Sequence, residues 1–576
     1  MFYFGIKHGK QKRFTISCDP EFSHIVKVGS GGTARWSAKE KNWTVPADPT
    51  ILRGILEQHN MYNMTGELSA YLDELYRRQE RIYKQSTIDS PVSPGEDRYM
   101  MPFQNSSVRA LDAAGSFILA HQMGLGKTPI VCQALEYIGA AKNLIVCPAA
   151  VKWSWVDHLK KWGDIHNIYV IESKKVKTDM AEVICTANRV ESSLLEDVRN
   201  ALSQEDVTIV LGFEMLRKFV SLVKEHEYDV MVVDEAHRVK NRKAQNTQAV
   251  MQVSQLCGRR WLLTGTPVRN DYTDLWSLLA IIDPDRFSSY WNFVNTYLDT
   301  VKNIFGGVDI VGLKDQEAFN TMLGVYMYKL TKEEVMPELP EIIYSQETMP
   351  MNKEQYDMYQ EMENDFITSV FKEQEDGADI EKIITAPNTM AKIMKLRQIC
   401  LSPATIEGPN DSAKLEWLND RVEYMLDEGE QILIFSFFKR FINLVEEILE
   451  HRGLNYGIIT GDVSSHRRHE IEEKVRSGEI NVVAGTGQAM GEGTNFETCT
   501  TSIFTDLDWV PAVNKQAEER IQRYNTKTSP NVIHLYHPNT VETDIMRTLH
   551  RKEHITNKAT GQVETIRNLL QRREGE

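Results

Sequence analysis

Apolar residues in the middle of the chain come in short runs that alternate with helical stretches. The first set is FILA, NLIVCP, VTIVLGF, DVMVVDEAH and RWLLTGTP from Phe117 onward, and the second set, QILIFSF, YGIIT, INVVAG, TSIFTDL and NVIHLYH, continues to about residue 537. Strands buried on both faces of a parallel sheet have continuous apolar runs of this kind, with crossover helices between them. The pattern therefore predicts two α/β domains.

The flanking and connecting segments have other patterns. Residues 1–47 form short alternating stretches broken by glycines, which predicts a small antiparallel β unit followed by helices, and residues 333–385 are acidic with helical periodicity. We therefore predict five parts: a basic N-terminal accessory module at 1–95, a first α/β lobe at 96–332, a charged helical bridge at 333–420, a second α/β lobe at 421–555 and a C-terminal helical tail at 556–576.

A glycine-rich turn follows the first apolar run. Residues 124–128 read GLGKT and lead into a predicted helix from Ile130 to Tyr137. Glycines let backbone N–H groups surround an anion, the helix N-terminus adds positive potential, Lys127 can reach the outer phosphates and Thr128 can hold Mg²⁺. The strict nucleotide-loop pattern has glycine where His121 stands, so a chance glycine turn is the alternative for this segment alone.

An acid pair ends another predicted strand. Asp234 and Glu235 follow the run DVMVV, and ligands of open α/β sheets bind at the carboxyl ends of strands. Phosphoryl transfer needs an acid that holds a metal and a group that positions water. We predict that Asp234 holds Mg²⁺ and that Glu235 acts as base, with Lys127 and Thr128 on a neighbouring strand. A solvated acid pair on a surface loop is the alternative for these two residues alone.

Between residues 99 and 555 these features belong to an ordered series of motifs. They are MGLGKT at 123–128, LIVCP at 144–148, DEAHRVKN at 234–241, LTGTPVRN at 263–270, IFSFF at 434–438, GEGTN at 491–495 and QAEERIQR at 516–523. The series resembles the Swi/Snf helicase-like ATPases of helicase superfamily two, and the extended DEAH box is more specific than DEAH alone. The resemblance implies an α/β fold of two RecA-like parallel-sheet lobes joined by a charged helical bridge, with ATP and Mg²⁺ between the lobes.

The resemblance also implies roles for individual residues. ATP would be bound by Gln104, Met123, Gly124, Leu125, Gly126, Lys127, Thr128 and Gly493, while His237, Thr264, Thr266 and Gln516 would couple hydrolysis to movement. Arg520 and Arg523 would complete the catalytic set. Guanidinium groups three residues apart share a helical face and can stabilise charge on the γ-phosphate. The alternatives are an exposed basic helix face for the arginines and a surface glutamine for Gln104.

The chain departs from the family pattern at three places. His121 and Gln122 stand where the family has Asp and Glu, Asn525 and Thr526 stand where it has Gly and Gln, and Lys329-Leu330 replaces paired arginines. The first two departures remove no group that phosphate chemistry needs, so we expect them to change the rate or the coupling of hydrolysis. The third puts family-style regulation at the lobe connection in doubt.

Nucleic-acid contacts are assigned by motif position. The candidates are Pro148, Lys152, Trp153, Arg217, Phe437, Lys439 and Asn495, which would grip phosphates with little sequence information. Packing of a helix against the sheet is the favoured alternative for Trp153. In the N-terminal module, the turn at 8–13 is basic, and the segments at 34–36 and 43–46 resemble the small modules that precede annealing-helicase members of the family. A solubilising β cap is the alternative for this module.

Composition limits the class of protein. The chain of 576 residues is too long for one core, and it has no apolar run of the ~18 residues needed to cross a bilayer. We therefore expect no membrane partner. The chain's seven cysteines are scattered without metal spacing, so we expect reduced thiols, no zinc and a cytoplasmic location. The net charge is −15, yet residues 1–47 carry eight Lys and Arg against three acids. A basic module thus precedes an acidic body.

These observations predict a DNA-dependent ATPase that translocates on duplex DNA. It would remodel DNA structures or displace bound proteins in replication, repair or recombination, alongside proteins of those processes, and its compactness indicates a bacterial or viral origin. One alternative is an RNA-directed or strand-separating helicase. A second is a nucleotide-gated DNA-binding protein without sustained turnover, which predicts damaged hydrolytic residues. A third is the motor subunit of a restriction or defence complex.

Overall fold

The structure of the chain is a computed structural model that divides into two compact units, Met1–Thr331 and Lys332–Glu576. It describes residues 2–7, 13–30, 33–56, 62–92, 99–173, 178–186, 191–265, 267, 272–302, 308–375, 387–491, 496–522 and 528–552. Among these residues, no helix combines the length and the apolar character that crossing a bilayer requires.

The first unit begins with a five-stranded sheet. Its strands are β1 (Phe2–Lys7), β2 (Arg13–Ser17), β3 (Arg35–Ser37), β4 (Asn42–Pro46) and β5 (Tyr62–Met64), in the order β3-β4-β2-β1-β5. All pairs are antiparallel except β1 with β5, which are parallel. Alternate side chains such as Phe4, Phe14 and Val45 are buried in one core with residues of α1 (Ser23–Gly29) and α2 (Pro49–Leu56). Alternation leaves the opposite face of the sheet polar.

An eight-stranded parallel sheet follows. The elements are α3 (Gly66–Ser86), α4 (Pro102–Ala114), β6 (Phe117–Leu119), α5 (Lys127–Tyr137), β7 (Lys142–Cys147), α6 (Lys152–Gly163), β8 (Ile168–Glu172), β9 (Glu182–Cys185), α7 (Glu191–Leu202), β10 (Val207–Gly212), α8 (Phe213–Val223), β11 (Tyr228–Val233), α9 (Gln245–Ser254), β12 (Cys257–Leu263), α10 (Asp274–Ile282), α11 (Tyr290–Tyr297), β13 (Leu298–Lys302), β14 (Val308–Leu313), α12 (Gln316–Gly324) and β15 (Met327–Tyr328). The strand order is β15-β6-β12-β11-β7-β10-β8-β9, and β13 and β14 form a separate hairpin.

Both faces of this sheet are covered. Leu144 and Val146 lie in one hydrophobic core while Ile145 and Cys147, their neighbours on β7, lie in the other. Successive side chains of a strand point to opposite faces, so a strand covered on both sides must be apolar throughout. Each large aliphatic side chain buried in this way contributes roughly 1.5–3 kcal/mol. The uninterrupted apolar runs of the sequence have this physical origin.

The second unit contains a six-stranded parallel sheet. Its elements are α13 (Lys332–Val335), β16 (Ile343–Thr348), α14 (Lys353–Glu375), α15 (Pro387–Leu401), α16 (Ala413–Asp427), β17 (Ile432–Ser436), α17 (Lys439–His451), β18 (Tyr456–Ile459), α18 (Ser465–Arg476), β19 (Val482–Thr486), α19 (Gly487–Gly491), β20 (Thr501–Phe504), α20 (Pro511–Glu518), β21 (Asn531–Tyr536) and α21 (Val541–Lys552). The strand order is β16-β21-β20-β17-β19-β18. The chain is thus an α/β protein with two parallel sheets.

The segment predicted to be a helical bridge differs from the prediction. It contains an edge strand, β16, that pairs with β21, and helices α14 and α15 share a hydrophobic cluster with Trp509 and with Ile545 on α21. The strand escaped notice because IYSQET has no apolar run and its side chains are exposed or half-buried. The helices are therefore packed parts of the second unit. The tail predicted at 556–576 lies outside the described residues.

Candidate nucleotide-binding site

The glycine-rich turn connects β6 to α5. Gly124 and Gly126 have φ angles of 84° and 74°, a left-handed conformation that glycine adopts without steric cost. A Cβ atom at Gly126 would lie 2.4 Å from Nε2 of Gln104, so the close approach of α4 also requires glycine there. Helix α5 begins at Lys127, and its first turn contains Thr128. Free N–H groups and the positive end of the helix dipole make this turn suited to an anion.

Lys127 is held by the turn itself. Its ammonium group donates to the carbonyl oxygens of His121 at 2.8 Å and Gln122 at 3.3 Å. His121 is fully buried, and its Nε2 lies 2.8 Å from Oγ of Ser107. Burial lowers the pKa of His121 to about 3, and the charge of Lys127 acts in the same direction. The imidazole is therefore neutral, and it adds no charge next to the turn.

Gln104 touches the same turn from α4. Its Oε1 accepts from the backbone N–H of Met101 at 2.9 Å, and its Nε2 donates to the carbonyl of Leu125 at 3.2 Å. Gln104 is thus next to the phosphate-binding turn and not an isolated surface residue. Reading an adenine would require the amide to exchange one of these two bonds.

The acid pair follows β11. The carboxylate of Asp234 accepts from Nε1 of Trp155 at 2.9 Å and from the N–H of Glu235 at 2.8 Å. Burial raises the pKa of Asp234 to about 6, and the charge of Glu235 adds to this, whereas Trp155 and Lys127 oppose it. Glu235 has a φ angle of 47°, and its Oε2 lies 3.1 Å from Nδ1 of His237. Such backbone strain at a non-glycine residue is concentrated at functional sites.

Strand β12 lies between β6 and β11, so the prediction that the turn and the acids follow neighbouring strands is wrong. The residues that follow β12 lie between the phosphate-binding turn and the acid pair. Thr264 is buried and donates its N–H to the carbonyl of Leu119 at 3.2 Å. A Cβ atom at Gly265 would lie 2.8 Å from Cγ of Met123. The third motif therefore contacts the phosphate-binding turn directly, while Thr266 lies outside the described residues.

The donor set fits a magnesium ion. The hydroxyl of Thr128 and the carboxylate of Asp234 are hard oxygen ligands, which Mg²⁺ prefers. Burial, and after it the negative charge of Glu235, raises the pKa of Asp234. A divalent cation would supply positive charge and favour the ionised form.

The candidate site residues of the second unit that the structure describes, Arg520 and Gln516, are buried. Arg520 is buried and donates through Nη2 to the carbonyl of Gly491. Gln516 is buried on α20, and its Nε2 donates no hydrogen bond to a described residue. Helix α20 ends at Glu518, so Arg520 lies beyond this helix and not on a helical face as predicted. Arg523, Gly493 and Asn495 lie outside the described residues.

Two family models match this chain. The SNF2-related domain matches residues 51–405, which is more than half of the chain, and the helicase conserved C-terminal domain matches residues 413–525. The protein belongs to the SNF2-related family. The resemblance expected from the ordered motifs is thereby confirmed.

Curated relatives of this SNF2-related protein include proteins of animals, yeasts and bacteria. It is 26% identical over 458 residues to the mouse SWI/SNF-related matrix-associated actin-dependent regulator of chromatin subfamily A member 1, covering 74% of this chain and 40% of that protein. It is 23% identical over 549 residues to an uncharacterized ATP-dependent helicase of Mycoplasma genitalium, covering 91% of this chain and 48% of that protein. The chain spans less than half the length of these two relatives.

A solved structure is similar as well. It is the Sulfolobus solfataricus SWI2/SNF2 ATPase core in complex with dsDNA, with 21% sequence identity and a TM-score of 0.34, covering 84% of this chain and 95% of that chain.

Three nucleic-acid candidates of the SNF2-related domain need correction. Pro148, Lys152 and Trp153 are buried, so none can contact a phosphate in this structure. The ammonium of Lys152 lies 2.8 Å from Oε2 of Glu172 and donates to the carbonyl of Ile171 at 3.0 Å. Lys152 therefore closes a buried ion pair, and Trp153 packs its helix against the sheet. A basic residue after a strand does not by itself indicate exposure.

Other candidates have accessible side chains. Arg217 is exposed and donates to Oε1 of Gln245 at 3.1 Å, and Lys439 is exposed beside Asp462, with which it forms an ion pair. Phe437 is half-buried, and its ring lies so close to Gly487 that a Cβ atom there would be 2.6 Å away. Arg217, Phe437 and Lys439 remain candidate contacts.

Sequence reasoning missed two positioning residues. Trp155 orients Asp234 through its indole N–H. Asp506 is buried after β20 and accepts from Oγ of Ser436 at 2.8 Å and from the N–H of Phe437 at 3.0 Å. Burial raises the pKa of Asp506. A weak sequence signal existed for Asp506, because it comes two residues after β20, near the carboxyl end of a parallel strand.

Proposed function

We propose that this protein hydrolyses ATP and uses the energy to translocate on duplex DNA. It would remodel DNA structures or displace bound proteins during replication, repair or recombination, together with proteins of those processes. The observation that carries the proposal is the gathering of Lys127, Asp234 and Glu235 at the carboxyl edge of the parallel sheet of an SNF2-related domain.

Each residue has a role that its setting supports. Lys127 can release the carbonyls of His121 and Gln122 and bind phosphate oxygens in their place. Thr128 and Asp234 would hold Mg²⁺, which would supply positive charge to the phosphates. Glu235 positions the attacking water and accepts its proton, and Arg520 stabilises charge on the transferred group.

Duplex DNA is proposed as the track for three reasons. The mouse relative is named a regulator of chromatin, and the extended DEAH box at 234–241 is the form found in Swi/Snf proteins. Arg217 and Lys439 are exposed cations that can contact phosphates without reading bases. A nucleotide-gated binding protein without turnover is disfavoured because Lys127, Asp234, Glu235 and Arg520 are all present.

The test is steady-state ATP hydrolysis by the wild-type protein and by Glu235→Gln. Each protein is assayed without nucleic acid and with duplex DNA, forked DNA, single-stranded DNA or RNA at one fixed salt concentration, because phosphate contacts weaken as salt rises. Glu225→Gln, at an exposed glutamate of the same unit, is the matched control. We expect stimulation by duplex or forked DNA that is lost only in Glu235→Gln.

Other outcomes contradict parts of the proposal. Stimulation by RNA alone would remove DNA as the track. Stimulation by single-stranded DNA alone would indicate a strand-separating helicase. Absence of turnover on every substrate, with nucleotide-dependent DNA binding, would support the gated binding protein.

A further inference from the structure

The N-terminal sheet has one face that its core does not use. Strand register places on it side chains that alternate with the buried Phe4, Phe14 and Val45. We call this the polar face; it consists of Tyr3, Lys7, Arg13, Thr15, Ser17, Arg35, Ser37, Asn42, Thr44 and Asn63. These side chains are exposed or half-buried, and none of them is a carboxylate. The polar face is therefore cationic.

Two arginines on this face have no acidic partner among the described residues. Arg13 donates through Nη2 to the carbonyl of Thr44 at 3.3 Å, and its Nε is buried without a hydrogen bond. Arg35 is exposed and forms no ion pair with a carboxylate of the described strands and helices. Lys7, in contrast, pairs with Glu40. The pKa of Arg13 is lowered by burial and by the positive charge of Arg35. An anion bound between the two guanidinium groups would relieve this repulsion.

The chemistry of the face indicates which anion it takes. Thr15 and Thr44 lie opposite each other beside Arg13 and Arg35, and the hydroxyl of Thr44 donates to the carbonyl of Arg35 at 3.3 Å. Hydroxyl and guanidinium groups are the usual donors to phosphate oxygens. Surfaces that bind single strands present several aromatic rings for base stacking. The polar face has one, Tyr3, which is 54% exposed. A duplex backbone fits this set of groups better than unstacked bases.

A buried ion pair fixes this sheet to the rest of the first unit. Asp48, two residues after β4, accepts from Nη2 of Arg286 at 3.0 Å and from Nε at 3.4 Å. Their side chains are 7% and 4% exposed, and the hydroxyl of Tyr297 also donates to Asp48. Arg286 follows α10 of the parallel sheet domain, which carries Lys127 and Asp234. The ion pair therefore joins the N-terminal sheet to the parallel-sheet part of the same unit, which holds the phosphate-binding turn.

We propose that the polar face is a second DNA-binding surface, which holds the duplex backbone through Arg13 and Arg35 and is tied to the nucleotide-binding unit by Asp48 and Arg286. This inference rests on the proposed function, since it takes DNA as the substrate. Arg13 is also the last residue of the basic turn at 8–13, and residues 8–12 of that turn lie outside the described residues.

The test compares two double variants. Arg13→Ala with Arg35→Ala removes both guanidinium groups, and Lys27→Ala with Arg77→Ala removes two exposed charges from the helices of the same module. Duplex affinity is measured by fluorescence anisotropy over a series of salt concentrations, and ATP hydrolysis is measured against DNA concentration. We expect the first variant to bind duplex DNA roughly tenfold more weakly, with a salt slope lower by about two, because each lost phosphate contact removes about 0.9. Its turnover at saturating DNA should stay within about twofold of wild type, since DNA held elsewhere still stimulates hydrolysis.

A second variant covers the case in which the double variant does not fold. Arg35→Glu changes only an exposed edge-strand residue, and circular dichroism checks that it is folded. It should weaken duplex binding at least as much as the loss of one contact. Unchanged affinity and salt slope in a DNA-stimulated protein would overturn this inference alone, as would a loss confined to single-stranded DNA. A wild-type protein that neither binds nor responds to DNA would instead overturn the proposed function.

Discussion

In the first unit, Lys127 and Asp234 are only partly buried at the carboxyl edge of the sheet, whereas in the second unit Arg520 is 5% exposed and donates to the carbonyl of Gly491. The carbonyls that hold Lys127 belong to the phosphate-binding turn, so phosphate oxygens can replace them in place. Arg520 must leave a buried carbonyl before it meets an anion. We propose from this difference that nucleotide binding depends on the first unit and that the second unit contributes mainly to the chemical step.

The largest expected effect separates these two contributions. Arg520→Ala should lower kcat by roughly 10³-fold, because an arginine that stabilises the transition state of phosphoryl transfer contributes 10³–10⁵-fold. Its affinity for ATP should stay near that of wild type, whereas Lys127→Ala should lose affinity. Fluorescent-nucleotide titration and steady-state hydrolysis measure the two quantities.

The control for Arg520→Ala is Arg467→Ala, which removes an exposed arginine paired with Glu470 on α18. This control should hydrolyse and bind ATP as wild type does. Equal losses of nucleotide affinity in Arg520→Ala and Lys127→Ala would contradict the division of roles between the units.

A buried ion pair in each unit gives the next test. Asp48 pairs with Arg286 in the first unit, and Lys414 pairs with Glu542 at 2.6 Å in the second. Removing one partner of a buried pair leaves an uncompensated charge and costs roughly 3–5 kcal/mol. Asp48→Asn should therefore destabilise the first unit, and Glu542→Gln the second. Urea unfolding followed by hydrogen exchange assigns each loss to a unit.

Glu80→Gln, which breaks an exposed pair with Lys84, is the control for these variants and should leave both unfolding transitions unchanged. If Asp48→Asn shifted the unfolding transitions of both units to lower urea concentration, the two units would unfold as one. That result would contradict the prediction that each variant destabilises only its own unit.

Local patterns in the sequence predicted the parallel sheets and the phosphate-binding turn. Apolar runs indicate strands that are buried on both faces, and the glycines at 124 and 126 indicate a backbone conformation that only glycine adopts easily. Both features can be predicted without knowledge of distant residues. The acid pair after β11 was predicted for the same reason. Family membership, read from the order of the motifs, was confirmed.

Partners distant in sequence account for what was missed. Lys152 has the position of a phosphate contact, but Glu172 at the end of β8 buries it in an ion pair. The insertion of β12 between β6 and β11 depends on strand pairing, which chain order does not report. The polar edge strand β16 lacks the apolar run by which the inner strands were found. In each case tertiary contact outweighs the local pattern.

A smaller effect tests how firmly the acid of the first unit is held. Trp155→Phe keeps the packing of α6 but removes the indole N–H that donates to Asp234. Hydrogen bonds to charged groups contribute roughly 1.5–3 kcal/mol, so kcat should fall about 10- to 100-fold. Trp162→Phe, on the same helix, is the matched control. An unchanged kcat in Trp155→Phe would mean that Asp234 needs no positioning by α6.

The smallest expected effect concerns the neutral histidine beneath the phosphate-binding turn. His121 has a folded-state pKa lowered to about 3 by burial, against an ordinary value of 6.5, so between these values the unfolded chain binds a proton that the folded chain does not. Stability of the first unit should therefore fall as the pH decreases from 6.5, by about 1–2 kcal/mol between pH 7 and pH 5 from this residue alone. His121→Gln removes the titrating group and should flatten that part of the profile, whereas His166→Gln, at an exposed position, should not. Urea unfolding at both pH values decides the matter. A profile that stays equally steep in His121→Gln would place the acid sensitivity elsewhere in the unit.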